Sequence, residues 1–411
     1  MLKKNIIFSF FLLFYAASMA QTLDEFISKG IKNSPLLKDY QNRIKVTEID
    51  SMLLKAALKP QVNANAQLMY SPDFNGYGYD NAVTNGGNYT AVIGVSQSFF
   101  NKRILNANLE AVGIEQQLIK NAGKLSEYEI KNLVTTTYLS ALGDQNDISS
   151  NLSFLNLMME EKTILKQLSD QGIYKQTDYL SFIIELESQK ILAEQLKIQY
   201  DKDIHLLRQI CGITDTSRVK LSTPVLIKES SGSISKSLIY MTFTIDSLKI
   251  LSDKKMIDNK YRINLNWFAD AGFLSSNPLN IYKNFGASAG LNIGLPVFDG
   301  HQRKLNYQKL GIQEDSRLFY KNFYISQHSE KLRQLNDELT ASLSLAELLK
   351  KQEKAAGDLC NLYREQLDMG NVSITELVNA MKNHISFSSN LNQLQIHILQ
   401  LINDYNYMLS Q

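Results

Sequence analysis

Residues 285–300 decide the fold: Phe285-Gly-Ala-Ser-Ala-Gly-Leu-Asn-Ile-Gly-Leu-Pro-Val-Phe-Asp-Gly300. From Phe285 to Leu295 every second residue is apolar, and the residues between them are glycine, serine or asparagine. This period of two is typical of a β-strand with one apolar face and one polar face. The strand is predicted to reach Val297, and a long helical pattern without proline begins near Asp299. The stretch therefore predicts a strand that leads directly into a long helix.

The same order of features occurs twice, displaced by 198 residues. Around Gly172 the chain reads Asp170-Gln-Gly-Ile-Tyr-Lys-Gln-Thr-Asp178, and around Gly370 it reads Asp368-Met-Gly-Asn-Val-Ser-Ile-Thr-Glu376. Phe100 and Phe298 show the same displacement. A repeat of this length indicates a duplicated module. We predict a first repeat over 21–212, an inter-repeat segment over 213–235 and a second repeat over 236–411.

Four segments alternate between apolar and polar residues and are predicted to be strands: about 61–71, 89–99, 262–273 and 285–297. Each is about ten residues long, the length that a tilted strand needs to cross a bilayer. Aromatic residues such as Tyr70 lie at the strand ends, as in the girdle of a membrane interface. An ordinary half-buried sheet is the alternative. If the strands do cross a membrane, four of them leave two open edges, so several chains must share one barrel.

Long helical patterns follow each strand pair, over about 101–172 and 299–370, and a second helix returns after each glycine. In the last helix apolar residues step by three and four throughout, which is a supercoil period. Each repeat therefore predicts an antiparallel helical hairpin that turns at Gly172 or Gly370, where glycine permits a positive φ. The inter-repeat segment breaks the helical pattern with Pro224 and with five serines from Ser222 to Ser235, which predicts a short strand or loop against the helices.

Residues 1–20 fit a secretory signal peptide, because two lysines precede an apolar run and Ser18-Met-Ala20 is a small-residue cleavage site. The run is too short for a membrane anchor, and no later segment is apolar enough for a spanning helix. The formal net charge of +2 does not favour nucleic acid as a partner. Cys211 and Cys360 are predicted to lie roughly 45 Å apart along the helices, too far for a disulfide.

The order of features is a signal peptide, then a helix, a strand pair and a long helical hairpin, and then these three elements again. This is the layout of the TolC family of outer-membrane efflux channels. The chain resembles this family over essentially its whole mature length. Thr22-Leu-Asp-Glu-Phe26 with Asn33-Ser-Pro-Leu36 resembles the family's opening helix. Leu295-Pro-Val-Phe-Asp-Gly300 resembles the junction of strand and helix in the second repeat. The stretches 172–178 and 370–376 resemble the two turns at the periplasmic tip.

The resemblance implies a mainly α protein with a transmembrane β part, assembled as a homotrimer. Three chains would form a twelve-stranded β-barrel in the outer membrane of a Gram-negative bacterium, surrounded by outer-membrane lipid, and a twelve-helix coiled-coil tube through the periplasm. The tip would dock a periplasmic adaptor protein and an inner-membrane transporter of the RND or ABC type. Docking would open a passive export duct for a tripartite efflux or type I secretion system.

The resemblance also implies roles for residues at the tip. Glu376 falls on a pore and gate position, where relatives carry an acidic ring that favours cations. Asp178 falls on a tip position of the first repeat. Gly172 and Gly370 lie in the turns that would dock the adaptor.

Glu376 has a physical interpretation that does not depend on the resemblance. Three symmetry-related carboxylates around a narrow pore would raise the local cation concentration. Alternatively, Glu376 supports the first turn of the returning helix, where an acidic residue interacts favourably with the helix dipole, and Asp178 lies in a first turn too. A second acidic position of the family is Asn379 here, and its tip arginine is Val372, so the gate departs from the family pattern.

The sequence contains no pattern of an enzyme, a cofactor site or a metal site. Five histidines are scattered without the spacing of zinc ligands, and neither a phosphate-binding glycine loop nor a nucleophile elbow occurs. His384 lies in an apolar stripe and is predicted to be structural. One alternative function is a soluble periplasmic coiled-coil adaptor or scaffold, which would not need the four alternating strands. Another is a secreted hydrolase, which would need a compact α/β pattern.

Overall fold

The computed structural model of the protein describes residues 21–72, 74, 76–78, 87–99, 102–215, 219–230, 232–367, 369 and 371–411. The predicted signal peptide, Phe100 and Gly370 lie outside the described residues. The chain forms two compact units. The hairpin unit contains the described residues up to Leu37 with those of Leu125–Ile234 and Ser326–Gln411, and the sheet unit contains those of Lys38–Lys124 and Ser235–Ile325.

Helices dominate the described residues, as predicted. In chain order the elements are α1 (Leu23–Asn33), α2 (Pro35–Ala56), β1 (Gln61–Tyr70), β2 (Gly87–Phe99), α3 (Lys102–Asp170), α4 (Gln176–Cys211), α5 (Leu238–Lys260), β3 (Asn264–Ser275), β4 (Phe285–Gly294), α6 (Gln302–Leu367) and α7 (Ile374–Ser410). Short 3₁₀ helices cover Ile234–Lys236 and Pro278–Lys283. No helix in the described ranges has an 18-residue window apolar enough to cross a membrane.

The four strands form one antiparallel sheet in the order β1-β2-β3-β4. The register places Gly94 of β2 opposite Asp270 of β3, and Asp270 opposite Ser288 of β4. Since side chains alternate between faces, most polar and glycine positions of the four strands lie on one face and most apolar positions on the other, with Val92 and Phe268 among the exceptions on the polar face. The register therefore produces the two-faced sheet that the alternation predicts, with β1 and β4 as its edges.

The bounds of β2, β3 and β4 differ from the predicted ones by two to three residues, and hydrogen bonding explains the start of β3 and the end of β4. β3 covers Asn264–Ser275 rather than 262–273, because the Arg262 N–H still bonds to the Asn259 carbonyl at the end of α5 (3.4 Å). β4 ends at Gly294 rather than near 297. Pro296 follows closely and has no N–H for a strand ladder.

Contacts of Arg303 and Tyr307 with Asp258 hold the start of α6 within the sheet unit. Arg303 in the first turn of α6 lies 2.7 Å from the Asp258 carboxylate near the end of α5. Tyr307 also donates to Asp258, and these two bonds, that of Tyr307 first, lower the pKa of the Asp258 carboxyl. The Asp299 carboxylate accepts the Arg303 N–H at 2.8 Å and so satisfies a donor that the helix start would leave open. These contacts tie the first turns of α6 to the end of α5.

In the hairpin unit, the opening helix and the inter-repeat segment pack on α3 and α4 around the buried Tyr138. Phe26 meets Tyr138 edge to face, with 5.8 Å between the ring centroids. The Tyr138 hydroxyl donates to the Ser222 carbonyl at 2.6 Å and accepts the Ser222 N–H at 3.0 Å. The Gln145 amide donates to the Leu221 carbonyl at 2.9 Å and accepts the Leu221 N–H at 2.8 Å. Side chains of α3 thus hold this part of the inter-repeat segment as an extended loop along the helices.

A second core cluster lies between the four long helices near the ends of both hairpins, around Phe182, Leu377 and Met381. Cys360 belongs to this cluster, whereas Cys211 belongs to the cluster around Tyr138. Both cysteines are buried free thiols, as the helix geometry predicts.

Candidate functional site

The first hairpin turns at Gly172, whose φ is +76°. The Gly172 N–H bonds to the Ser169 carbonyl and the Ile173 N–H to the Leu168 carbonyl, each at 3.0 Å. Such bonds around a left-handed residue are typical of a glycine C-cap. A Cβ at Gly172 would meet no atom within 4 Å, so the backbone conformation rather than space requires glycine here.

After the second turn, α7 begins with a capping box formed by Ser373 and Glu376. The Ser373 hydroxyl oxygen accepts the Glu376 N–H at 3.2 Å. In return, the Glu376 carboxylate accepts the Ser373 N–H at 2.9 Å and the Ser373 hydroxyl at 2.8 Å. These bonds, that of the backbone first, lower the pKa of Glu376. Glu376 therefore supports the helix start, and its role in a pore stays a prediction.

Asp178 occupies the equivalent place in the first turn of α4, but its bonds are different. The cap residue Lys175 makes no side-chain cap bond, and the Asp178 N–H bonds to the Lys175 carbonyl at 3.0 Å. The Asp178 carboxylate lies 3.5 Å from the Thr177 hydroxyl. The two repeats thus bring one acidic residue each to the start of a returning helix. Only the second, Glu376, is bonded in a capping box.

Tyr174 connects the two turns, a role that the sequence interpretation missed. Its hydroxyl donates to the Val372 carbonyl at 2.6 Å and lies 3.2 Å from the Leu367 carbonyl. Tyr174 and Val372 are equivalent positions of the two repeats, 198 residues apart. The sequence did contain a signal for this contact. The first repeat has a tyrosine at a position where the second has valine, within one of the stretches in which the two repeats are most similar.

Ion pairs of Arg364 and Lys382 join the second hairpin to the first close to the turns. Arg364 of α6 lies 2.6 Å from Glu161 of α3, whose side chain is only 3% exposed, and 3.4 Å from the exposed Glu160. Lys382 of α7 lies 2.7 Å from Glu185 of α4. Together with the apolar cluster around Phe182 these pairs hold both hairpins side by side. The end of the hairpin unit is therefore packed and charge-paired.

His384 lines a cavity of ≈ 380 Å³ between α3, α6 and α7. Its Nε2 lies 3.3 Å from the Glu353 carboxylate. A Cβ at Gly357 would lie 3.2 Å from that nitrogen, so the absence of a side chain at Gly357 makes room for the imidazole. His384 is half-buried between helices and takes part in their packing. Within the described ranges, no three His, Cys, Asp or Glu side chains form a group that could hold a metal ion.

Much of the apolar face of the sheet is exposed within the chain, mainly on β1, β2 and β4. Large side chains of this face are 42–79% exposed: Val62, Leu68, Tyr70, Ile93, Phe99, Phe285, Leu291 and Ile293. A contiguous apolar surface of this kind marks contact with lipid or with another protein. The helices α2, α3, α5 and α6 all connect to the same end of the sheet, because each strand pair is joined at its other end by residues 71–86 or 276–284.

Solved structures with the same fold are outer-membrane proteins. VceC from Vibrio cholerae matches with a TM-score of 0.77 and 12% identity, covering 94% of this chain and 96% of that chain. The outer-membrane channel OprN matches with a TM-score of 0.75 and 14% identity, over 94% and 89% of the two chains. The MtrE channel of Neisseria gonorrhoeae matches with a TM-score of 0.75 and 12% identity, over 94% and 88%.

The chain has the TolC-like outer-membrane channel fold. At these low identities the likeness concerns the fold alone. No family model and no curated protein matches the sequence. Two regions of the chain are candidate functional surfaces: the exposed apolar face of the sheet and the hairpin turns.

Proposed function

We propose that three copies of this chain form a passive export duct, in which the sheet unit contributes four strands each to a twelve-stranded barrel in the outer membrane. The observation that carries the proposal is the sheet itself. It has one exposed apolar face, one polar face and two open edges, and all its helices leave from one end. Lipid would cover the apolar face, and only closure with further strands satisfies the edges in lipid. Three copies reach a strand number within the known range.

The hairpin unit would continue the barrel as a twelve-helix tube through the periplasm of a Gram-negative bacterium. In this arrangement the chain consists of a first repeat over 21–212, the inter-repeat segment over 213–235 and a second repeat over 236–411. The turns at Gly172 and Gly370 would meet a periplasmic adaptor and an inner-membrane transporter of the RND or ABC type. The match to channel proteins over most of both chains supports this assignment.

Glu376 and Asp178 are proposed to line the pore at the tip, where three copies of each would favour cations. Glu376 is exposed, and the bonds from Ser373 that lower its pKa favour the charged form of the carboxyl, which suits an electrostatic role at a pore. Its capping bonds to Ser373 are compatible with that role, since they fix the carboxylate at the turn. Docking of the adaptor and transporter would then open the tip for efflux or type I secretion.

The proposal is tested by expressing the whole chain with its signal peptide and fractionating the membranes. We expect extraction only with detergent, a mass of three chains by native mass spectrometry, and conductance steps from the purified trimer in a planar bilayer. A monomer released without detergent would instead support the periplasmic adaptor or scaffold. A detergent-extracted trimer that never conducts, even with adaptor and transporter added, would overturn the duct.

A further inference from the structure

We infer that Asp270 gives the barrel lumen a negative potential that concentrates cations and repels anions, so that it is a selectivity-determining residue far from the tip. This inference rests on the proposed function, because it needs the polar sheet face to line a lumen. Among the residues of β1, β2, β3 and β4, Asp270 is the one that carries a charge. All other polar residues of the strands are neutral.

The register places Asp270 on the polar face and near the middle of the sheet. It lies opposite Gly94 on β2 and Ser288 on β4. The same face carries Asn65 of β1 and Asn292 of β4, both neutral. A charge on the apolar face would have to enter lipid, at a large cost in free energy. On the polar face the carboxylate can stay hydrated.

The neighbours of Asp270 leave its charge uncompensated and its surroundings open. A Cβ at Gly94 would lie 3.6 Å from the Asp270 Cβ, so the position of β2 directly opposite Asp270 has no side chain that could cover it. On the other side the Ser288 hydroxyl donates to the Asp270 carboxylate at 2.8 Å. This bond orients the carboxylate without neutralising it, and no strand of the sheet carries a lysine or arginine.

The size of a twelve-stranded barrel makes the charge relevant at its axis. Strands about 4.8 Å apart and tilted by about 40° close to a backbone radius of about 12 Å, which puts an inward carboxylate about 9 Å from the axis. The Debye length at physiological ionic strength is about 8 Å. Three carboxylates at that distance would change the ratio of cation to anion concentration on the axis by about fourfold, and hardly at all in 1 M salt.

The test measures the local potential with single cysteines in the full-length protein in outer-membrane vesicles. Ser288→Cys places a thiol next to Asp270, and Ala287→Cys places one on the apolar face, one residue away. The native Cys211 and Cys360 are buried and provide a low background. A cationic and an anionic methanethiosulfonate reagent of similar size are applied, and the ratio of their reaction rates is compared with and without Asp270→Asn. The ratio cancels differences in thiol reactivity.

We expect Ser288→Cys to react and Ala287→Cys to be protected by lipid. Asp270→Asn should lower the ratio of cationic to anionic rates at Ser288→Cys by roughly fivefold in 0.15 M salt, an effect that 1 M salt should abolish. If Ser288→Cys reacts and Asp270→Asn leaves the ratio unchanged, the selectivity role is wrong while the barrel stands. If Ala287→Cys reacts as readily as Ser288→Cys, or Ser288→Cys does not react, the barrel itself is wrong and the inference falls with it.

Discussion

The Tyr174 hydroxyl donates a 2.6 Å hydrogen bond to the carbonyl oxygen of Val372, the residue that occupies the same place in the other repeat. The bond brings equivalent positions of the two repeats into direct contact. At this point the chain is asymmetric, since a tyrosine on one side bonds to the backbone on the other. The bond joins the turn of the first hairpin to the start of α7, next to the capping box of Ser373.

Replacing Tyr174 by phenylalanine should loosen the hairpin ends without unfolding the helices. The variant leaves the Val372 and Leu367 carbonyls without this donor, which costs about 1–2 kcal/mol locally. Amide hydrogen exchange of peptides covering the turns should then be about tenfold faster or more. Tyr200→Phe is the matched control, because its hydroxyl bonds to the Val219 carbonyl at 2.6 Å in the same unit but away from the turns. Equal exchange at the turns in both variants would contradict the prediction.

The ion pair between Arg364 and Glu161 should show the cost of a buried charge left alone. Arg364→Leu strands the Glu161 carboxylate in a site where its side chain is 3% exposed, and we expect a loss of about 2–3 kcal/mol in the free energy of unfolding. Adding Glu161→Leu should recover much of that loss. Arg333→Leu, which breaks an exposed pair with Glu330, should cost less than about 1 kcal/mol. Urea unfolding measures the free energy of unfolding of each of these variants. If the double variant is no more stable than Arg364→Leu, this account of the ion pair is contradicted.

The periodic parts of the fold could be predicted from the sequence, whereas the contacts between repeats could not. Strands and long helices follow from periods of two and three to four residues, which are local properties. The bond of Tyr174 to Val372 and the pair of Arg364 with Glu161 depend on how two hairpins lie side by side, and no local pattern encodes that placement. The capping box was readable, because serine three residues before Glu376 is its sequence signature.

A pair of variants can distinguish the two possible roles of Glu376, as a charge in the pore and as part of the helix cap. Glu376→Gln keeps a side chain that can accept the Ser373 bonds but removes the charge, so the cation preference of the trimer in a bilayer should fall. Ser373→Ala keeps the charge but removes the cap, so the preference should persist while the first turn of α7 exchanges faster. The opposite pattern of effects would assign Glu376 a structural role alone.

Asp144 should make the hairpin unit less stable as the pH rises. Burial, followed by the charges of Asp203 and Asp147, raises the pKa of Asp144 from 3.8 to about 6. A raised carboxyl pKa means that the folded state holds its proton more tightly, so the stabilisation is complete below about pH 4 and is lost as the pH passes about 6. Asp144→Asn should remove this dependence and stabilise the protein at pH 7.5 by about 1–2 kcal/mol, allowing for solvent screening.

Thermal unfolding of the detergent-solubilised protein between pH 4.5 and 7.5 measures this effect of Asp144. Asp201→Asn, at an exposed position of α4, serves as the control and should keep the wild-type pH dependence. If Asp144→Asn and Asp201→Asn respond to pH alike, Asp144 is not the source of the effect.

Two glycines that face each other across β3 and β4 should respond very differently to the same substitution. Gly272 is paired with Gly286, but a Cβ at Gly272 would lie 2.2 Å from the Ala91 carbonyl oxygen and 2.6 Å from the Val92 Cα, both backbone atoms of β2. A Cβ at Gly286 would meet no atom within 4 Å. Gly272→Ala must therefore push β2 and β3 apart, at a cost of about 1–3 kcal/mol, whereas Gly286→Ala should be tolerated.

The yield of detergent-extracted trimer and its resistance to heat on a gel measure this difference between Gly272 and Gly286. The β2–β3 pairing joins the strand pair of the first repeat to that of the second. Its loss should therefore reduce assembly of the trimer, and not only destabilise an edge strand of the sheet. Gly272→Ser should behave like Gly272→Ala, since any Cβ meets the same backbone atoms. Equal trimer yields for Gly272→Ala and Gly286→Ala would show that β2 and β3 approach each other less closely in the assembled protein than they do in the single chain.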